Sequence, residues 1–405
     1  MHQNCSDITF LFPKTLCLEE LQNTSSTYPF SVEAIDFLHA LSKEIAKDPE
    51  IRNYPDVATF AFFCRKANIL QIKERDRNME TLRLGRGIVF HIAPSNVPVN
   101  FAYSLLCGIL SGNVNIVRVP SKDFKQITII CNAIVRLAKK TAYQSCTKRL
   151  AIVRYDRSNN SATTLFSSLC DVRVIWGGNE TIAQIRKSSI PARSFDVTFA
   201  DRYSLCVINA NRFIVEQKPE TIALGFYNDT YLFDQNACTS PHFVAWLGTN
   251  ENVKISKSIF WSKLYDIVQK KYLKVQPVIA VDKLTTFFKQ AILSDGVHQT
   301  PHTDNLLWRI QLDTLPPQID EYRCSSGYFT EYHAVSLSEL ASIINRKTQT
   351  LAYYGFTKTE LKDFIVNSKV PGIDRIVPIG RTSDFSTIWD GYNLIFTLTR
   401  ICEII

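Results

Sequence analysis

Between Gly87 and Asn209 the chain alternates short apolar runs of strand length with segments of helical periodicity. The runs are GIVFHIA, NVNIVRV, RLAIVRY, DVRVIW, FDVTFA and YSLCVIN; helical patterns lie between most of them, through FAYSLLCGIL, over residues 123–140 and from Asn179. Strands reached after a helical crossover pair in parallel, and a parallel sheet is covered by helices on both faces, so the pattern dictates βαβ units in a doubly wound α/β sheet. Hairpin-built sandwiches and helical bundles are excluded. Residues 87–117, 31 in a row, carry no formal charge. That would suffice to cross a bilayer at ~20 residues per span. Pro94, Asn96, Pro98, Asn100, Asn113 and Asn115 interrupt the run, so it reads as a buried strand, turn, helix and strand, and no membrane span is expected.

Upstream, Val32, Ile35, Leu38, Leu41 and Ile45 follow Ser31 at helical spacing, which predicts an N-capped amphipathic helix ending near Asp48-Pro49, with a second helix after Pro55. The expected organisation is an N-terminal helical region, residues 1–80, packed on a nucleotide-binding domain, 81–205. A second α/β domain, 206–380, contains DQNACTSPHFVAWLG, and a C-terminal segment, 381–405, ends in WDGYNLIFTLTRICEII. The apolar run in that last piece is expected to form a strand that pairs outside its own domain or subunit.

Charge and cysteine usage narrow the partners. The 46 Lys plus Arg against 38 Asp plus Glu give +8, and residues 251–289 concentrate it, with eight lysines against Glu251, Asp266 and Asp282. We read that stretch as a solvated lysine-rich face. Nucleic-acid binders carry denser basic runs or a fold signature, and no zinc finger, RNP1 pattern or basic zipper is present. The 11 cysteines are odd in number, scattered and never in a CxxC pair, which excludes a disulfide framework and a zinc site and fits a reducing cytoplasm. The first twenty residues, MHQNCSDITFLFPKTLCLEE, lack the basic and apolar regions of a secretory signal.

Three places can carry chemistry. Pro241 after Ser240 reads as the first position of a helix, which puts Cys238 just upstream of a helix N-terminus, where free N–H groups and the dipole favour a thiolate. His242, four residues on, would lie one turn away on that helix; we read it as packed and not as a base, and His91 as structural. In PSNVP, residues 94–98, Asn96 is held between two prolines at the end of a strand and can donate to a developing oxyanion. Arg118, Ser121 and Lys122 stand at the carboxyl end of NVNIVRV, where doubly wound sheets bind nucleotides. Gly177 and Gly178 lead from another strand into the helix opened by Asn179.

The order of these pieces, PSNVP, SGNVNIVRVPSK, WGGNETIAQIRK and DQNACTSP, resembles the aldehyde dehydrogenase superfamily. Their wording, together with SFDVTFADRYS, QTLAYYGF, RIVPIGR and WDGYNLI, is similar to the LuxC-type branch, the long-chain acyl-CoA (acyl-protein thioester) reductases of bacterial luminescence. The resemblance runs from about residue 81 to the end. It implies an aldehyde dehydrogenase-like fold in which a doubly wound nucleotide-binding domain is joined by an α/β catalytic domain and a C-terminal strand arm. Cys238 would be the nucleophile that takes the acyl group from a thioester. Asn96, with the backbone N–H of Cys238, would form the oxyanion hole.

The resemblance also implies a cofactor site. Arg118 stands where the superfamily has a lysine on the adenosine ribose. Ser121 and Lys122 stand where NAD-preferring members carry a ribose-binding glutamate; losing the acid and gaining cations favours the 2′-phosphate of NADPH. Gly177, Gly178 and Asn179 would let the backbone approach the pyrophosphate. The glutamate that activates water in hydrolytic members falls at Ala200, so an acyl-cysteine here should resist hydrolysis; Asp201, one place along, is expected on the other strand face. Near Cys324-Ser325-Ser326-Gly327 the glutamate that usually holds the nicotinamide ribose has no clear equivalent.

By the same resemblance the substrate is a fatty acyl-CoA or acyl-protein, the partner an acyl-protein synthetase, and the assembly a homo-oligomer, with no metal. Two other readings remain open on the sequence: reduction of an acyl phosphate on this scaffold, and a non-catalytic binding protein on the nucleotide fold. Phe226, Tyr227, Tyr231 and Phe233 favour an apolar acyl tunnel over a phosphate mouth, and intact Cys238 and Asn96 favour an enzyme.

Overall fold

Every residue of Ile88–Ile92 and Val172–Trp176 is buried, as a strand covered on both faces requires. The computed structural model describes residues 7–76, 81–272, 276–301 and 303–405. They form two compact units, one of residues up to Ala200 together with Ser386–Ile405, the other Asp201–Phe385.

The first unit holds strands β1 (Thr9–Phe12), β2 (Arg83–Gly85), β3 (Ile88–Ile92), β4 (Val114–Val119), β5 (Leu150–Arg154), β6 (Val172–Trp176) and β7 (Phe195–Phe199). Six of them make one sheet in the order β1-β5-β4-β3-β6-β7, parallel except at β1, which runs antiparallel to β5. Chain order reverses between β3 and β6: β4 and β5 build outward on one side of β3, β6 and β7 on the other. The crevice beyond the carboxyl ends of β3 and β6 is therefore the topological switch point, the place where open α/β sheets take ligands.

The N-terminal helix spans Val32–Ala46, and its N-cap Ser31 accepts from the Ala34 N–H at 3.2 Å. Buried Glu44 ties it to the helix Lys125–Ala138 through Arg136 at 3.3 Å and to Lys140 just past that helix at 3.2 Å. A helix does follow Pro55, over Pro55–Phe63.

The second unit holds β8 (Tyr203–Asn209), β9 (Pro241–Leu247), β10 (Val297–Gln299), β11 (Trp308–Leu312), β12 (Tyr328–Ala334), β13 (Thr348–Tyr354) and β14 (Arg375–Pro378). Their order is β10-β11-β12-β9-β8-β13-β14, all parallel except β10 against β11. The helices Pro219–Thr230 and Asn250–Lys271 cover one face, burying Phe226, Phe260, Trp261 and Leu264 against Trp246 and Phe329.

Three expectations need correction here. Pro241 opens a strand and not a helix: PHFVAWL is buried at all seven positions and sits between β8 and β12. A short apolar run has the same signature in a core helix and a central parallel strand, and Pro at a first position suits both. The C-terminal apolar run does not form one strand. Leu394–Thr397 is a helical turn, and Thr399–Ile401 pairs antiparallel with β2 of its own chain and its own unit.

The lysine-rich stretch is not wholly solvated either. Lys283 is completely buried, donating to the carbonyls of Asn305 and Ser326 at 2.7 Å each, and Lys257 lies against buried Glu331 at 3.5 Å. Among the described residues, no helix is long and apolar enough to cross a membrane.

Candidate active site

Cys238 lies in the turn that leads into β9, at the amino edge of the second unit's sheet. Its side chain is exposed, whereas burial pushes the thiols of Cys107, Cys131, Cys146 and Cys170 up and out of use; Cys131, for example, rises to about 12. Three buried groups fix the turn. Ser204 Oγ, at the start of the neighbouring β8, donates to the Cys238 carbonyl at 2.6 Å, and Ser240 Oγ donates to the Asp229 carbonyl at 2.8 Å.

The third is Gln235, only 1% exposed and held at φ 60° directly after Asp234 at φ 50°. Two consecutive left-handed residues turn its carboxamide into the interior. There Nε2 donates to the carbonyls of Pro241 (3.1 Å) and Tyr328 (3.0 Å), while Oε1 accepts from the N–H of Gly327 (2.9 Å) and Tyr328 (3.2 Å). The amide thus stitches the cysteine turn to the start of β12.

With no helix at Pro241, the helix-dipole route to a thiolate does not exist here. His242 is the packed histidine expected, on a strand: it stacks on Tyr203 at 5.7 Å, its Nδ1–H donates to the Cys324 carbonyl at 3.2 Å, and burial pushes its pKa down to about 3. It is no base for Cys238. Asp201 lies beyond the end of β7 and not on the strand, and both its oxygens accept from Arg323, at 2.6 and 2.7 Å. Phe226, Tyr227 and Tyr231 are buried in the hydrophobic core of this unit.

Four residues past Gly327, Glu331 is fully buried and committed to Trp246, Trp261 and Arg309. Neither Ser204, Gln235 nor Asp229 was singled out by the sequence. A Ser or Gln inside an apolar segment carries no periodic signal, although two successive turn residues before an apolar run hint at the left-handed pair.

In the first unit the other predicted residues gather at one sheet edge. The PSNVP turn follows β3, and Asn96 is exposed in it. Gly177 and Gly178 follow β6, the strand paired with β3, so both turns stand at the switch point. Gly178 is the N-cap of the helix Asn179–Ile185. A Cβ at Gly178 would meet nothing within 4 Å, whereas one at Gly177 would press on Thr181 at 3.1 Å. Gly178 is exposed and faces open space, with no packing neighbour.

Arg118 is the penultimate residue of β4, paired with Ile92 of β3. Its guanidinium sits over the Tyr155 ring at 5.2 Å and donates to the Tyr155 carbonyl at 3.2 Å, which also accepts from Ser121 Oγ at 3.2 Å. Its buried Nε has no hydrogen-bond partner. Lys122 is exposed, with Nζ over the Phe124 ring at 5.3 Å. His91 is structural, buried between Ser104 Oγ (2.7 Å) and Asn115 Oδ1 (3.0 Å), and burial lowers its pKa to about 4. Among the described residues, no group of His, Cys, Asp and Glu could hold a metal ion.

Comparison with known proteins decides the family. A family model described as acyl-CoA reductase (LuxC) matches residues 66–402. The chain belongs to the LuxC acyl-CoA reductase family. The long-chain acyl-protein thioester reductase of Aliivibrio fischeri is 25% identical over 310 residues, covering 74% of this chain and 60% of that protein. The same-named protein of Photorhabdus luminescens is 23% identical over 309 residues, 74% of this chain and 59% of its own length. The chain therefore spans about three-fifths of these curated relatives.

Solved structures show the fold. Aldehyde dehydrogenase 21 of Physcomitrella patens superposes with a TM-score of 0.64 at 10% identity, over 95% of this chain and 87% of that one. Lactaldehyde dehydrogenase of Escherichia coli gives 0.61 at 10% identity, over 91% and 85%. The architecture is that of aldehyde dehydrogenases, as the LuxC resemblance implies.

Proposed function

We propose that this chain reduces a long-chain fatty acyl thioester, acyl-CoA or acyl-protein, to the fatty aldehyde with NADPH, through an acyl group carried on Cys238. One observation carries the reading: an exposed cysteine held from three sides, by Ser204, Gln235 and Ser240, at the edge of a sheet whose strand cysteine, Cys206, is buried. A turn so tightly fixed presents its sulfur in one direction, which is what attack on a bound carbonyl requires.

The Cys238 thiolate adds to the thioester carbonyl, forming a C–S bond and a tetrahedral oxyanion, and the collapse of that oxyanion expels the substrate's thiol as thiolate. On this reading the Asn96 carboxamide and the Cys238 N–H donate to the oxyanion. Ala200 and the engagement of Asp201 with Arg323 support a long-lived acyl-cysteine, since neither supplies a free carboxylate to activate water.

NADPH, when bound, supplies the hydride that takes the acyl group to the aldehyde level. The residues present fit such a group: Gly178 leaves space for a pyrophosphate, Asn179 opens the helix behind it, and the half-buried guanidinium of Arg118 stands beside exposed Ser121 and Lys122. An acyl-protein synthetase as donor, a homo-oligomeric assembly and a reducing cytoplasm, in which an exposed thiol survives, belong to the same proposal. The test follows NADPH oxidation and aldehyde release from acyl-CoA. The parent should make aldehyde and Cys238→Ala none; Cys238→Ala working at the parental rate contradicts the reading.

A further inference from the structure

The helix Pro277–Leu293 of the second unit is inside out. A surface helix normally turns its apolar stripe to the core and its polar residues to water. Here the two buried residues are Lys283 and Gln290, while Val278, Val281, Leu284, Phe288 and Ile292 are between 41% and 80% exposed. The polar ridge is bonded into the unit and fixes the helix about its own axis. Lys283 Nζ donates to the carbonyls of Asn305 and Ser326 at 2.7 Å each, and the Tyr328 hydroxyl donates to Gln290 Oε1 at 3.4 Å. Phe287, on the same ridge at i, i+4 and i+7 spacing, packs against the core. Rolling the helix to cover its apolar residues would break these bonds and strand a cation that is now held by two carbonyls, so the stripe stays outside.

Positions 278, 281, 285, 288 and 292 recur at intervals of three and four, the spacing at which one helix meets another along a seam. The five exposed apolar side chains leave on the order of 500 Å² open, near the top of the range for one patch on a monomeric protein. Set against a copy of itself, the stripe would bury about 1,000 Å², the size at which a contact between proteins becomes specific. Charge selects the direction. Asp282 and Lys289, both exposed and seven residues apart, flank the seam on one side; Leu284 and Ala291 flank it on the other. Two copies crossing antiparallel about a two-fold axis between positions 286 and 287 bring Phe288 to Thr285, Val281 to Ile292 and Asp282 to Lys289, each contact made twice. A parallel pair would set the charged flank against the apolar flank and leave both charges unpaired. A bilayer surface calls for cations along the polar edge, and this edge carries one acid and one base.

We propose that this face joins two copies of the chain as an antiparallel pair of Pro277–Leu293 helices, Asp282 of each against Lys289 of the other. It is a surface for the homo-oligomer proposed above and owes nothing to Cys238, so its failure leaves the acyl chemistry untouched.

Sedimentation velocity of the full chain over a wide range of concentration tests it, in the parent, in Val281→Glu with Phe288→Glu, in Asp282→Lys, in Lys289→Asp, and in Asp282→Lys with Lys289→Asp. All four positions are exposed, and thermal unfolding verifies that each variant is folded. The paired Glu variant should weaken the self-association at least about a hundredfold. Each single charge change sets like charges together twice and should weaken it about tenfold, whereas the double swap restores opposite charges and should return to within about threefold of the parent. A merely structural role for these side chains would not produce that recovery. A monomeric parent overturns the inference, and co-sedimentation of that monomer with phospholipid vesicles would assign the face to lipid instead. An assembly unchanged by Val281→Glu with Phe288→Glu, or a double swap as weak as the single changes, overturns it equally.

Discussion

Ser204 Oγ donates a 2.6 Å hydrogen bond to the backbone carbonyl of Cys238 and also accepts from the Thr350 N–H at 3.3 Å, linking β13 and β8 to the cysteine turn. Ser204→Ala should therefore cost about 1–2 kcal/mol of stability, the usual effect of stranding a buried partner. It should lower kcat roughly tenfold while leaving KM near the parental value, because the sulfur loses its fixed direction and the acyl pocket does not. Thermal unfolding and steady-state kinetics check the two halves. A fall in stability with kcat unchanged would remove Ser204 from the positioning machinery.

Asn96 is exposed in the turn after β3. If its carboxamide steadies the oxyanion, Asn96→Ala should reduce kcat by about 10²–10³ with alkylation of Cys238 unaltered. Pre-steady-state acylation separates the two. A slow alkylation in Asn96→Ala would mean that it acts on the thiol and not on the carbonyl oxygen.

The proposed preference for NADPH rests on the residues after β4. Ser121→Glu places a carboxylate where a 2′-phosphate would sit, and should shift the NADPH to NADH ratio of kcat/KM by about tenfold or more toward NADH. Parallel titrations with the two cofactors give the ratio, and an unchanged ratio removes Ser121 from the site.

His91 and His242 are buried neutral, with pKa values lowered by burial to about 4 and about 3. Between pH 6.5 and those values the unfolded chain binds a proton that the folded chain refuses, so their contribution to stability is intact above pH 6.5 and is lost as pH falls below it. At pH 5 the loss is roughly 2 kcal/mol per histidine relative to pH 7. Asp229, raised to about 6, works in the opposite sense. Urea unfolding at the two pH values should show a smaller acid loss for His91→Gln than for the parent; equal losses contradict the assignment.

Much of the first unit was legible because β3 to β6 are buried at nearly every position and the helices beside them are mostly amphipathic, so period and length agree there and at Ser31. What was not legible depended on partners distant in sequence. PHFVAWL is a strand because β8 and β12 flank it, a fact invisible in the run itself. Strand β1 is four residues with one buried side chain, too short for any pattern to register. At the site, Cys238 and Asn96 stood out through their prolines, and Arg118 and Gly178 through their place after strands. Gln235, Ser204 and Asp229 did not, since each acts through a backbone group brought to it only by the fold.

Every step proposed for this chain requires that Cys238 carry the acyl group. Intact-protein and peptide mass spectrometry after mixing the chain with a long-chain acyl-CoA, without reductant, tests it directly. One acyl adduct per chain on the Cys238 peptide, released as aldehyde when NADPH is added, is the predicted result. An adduct on another residue, or aldehyde formed with no adduct on Cys238, would contradict it.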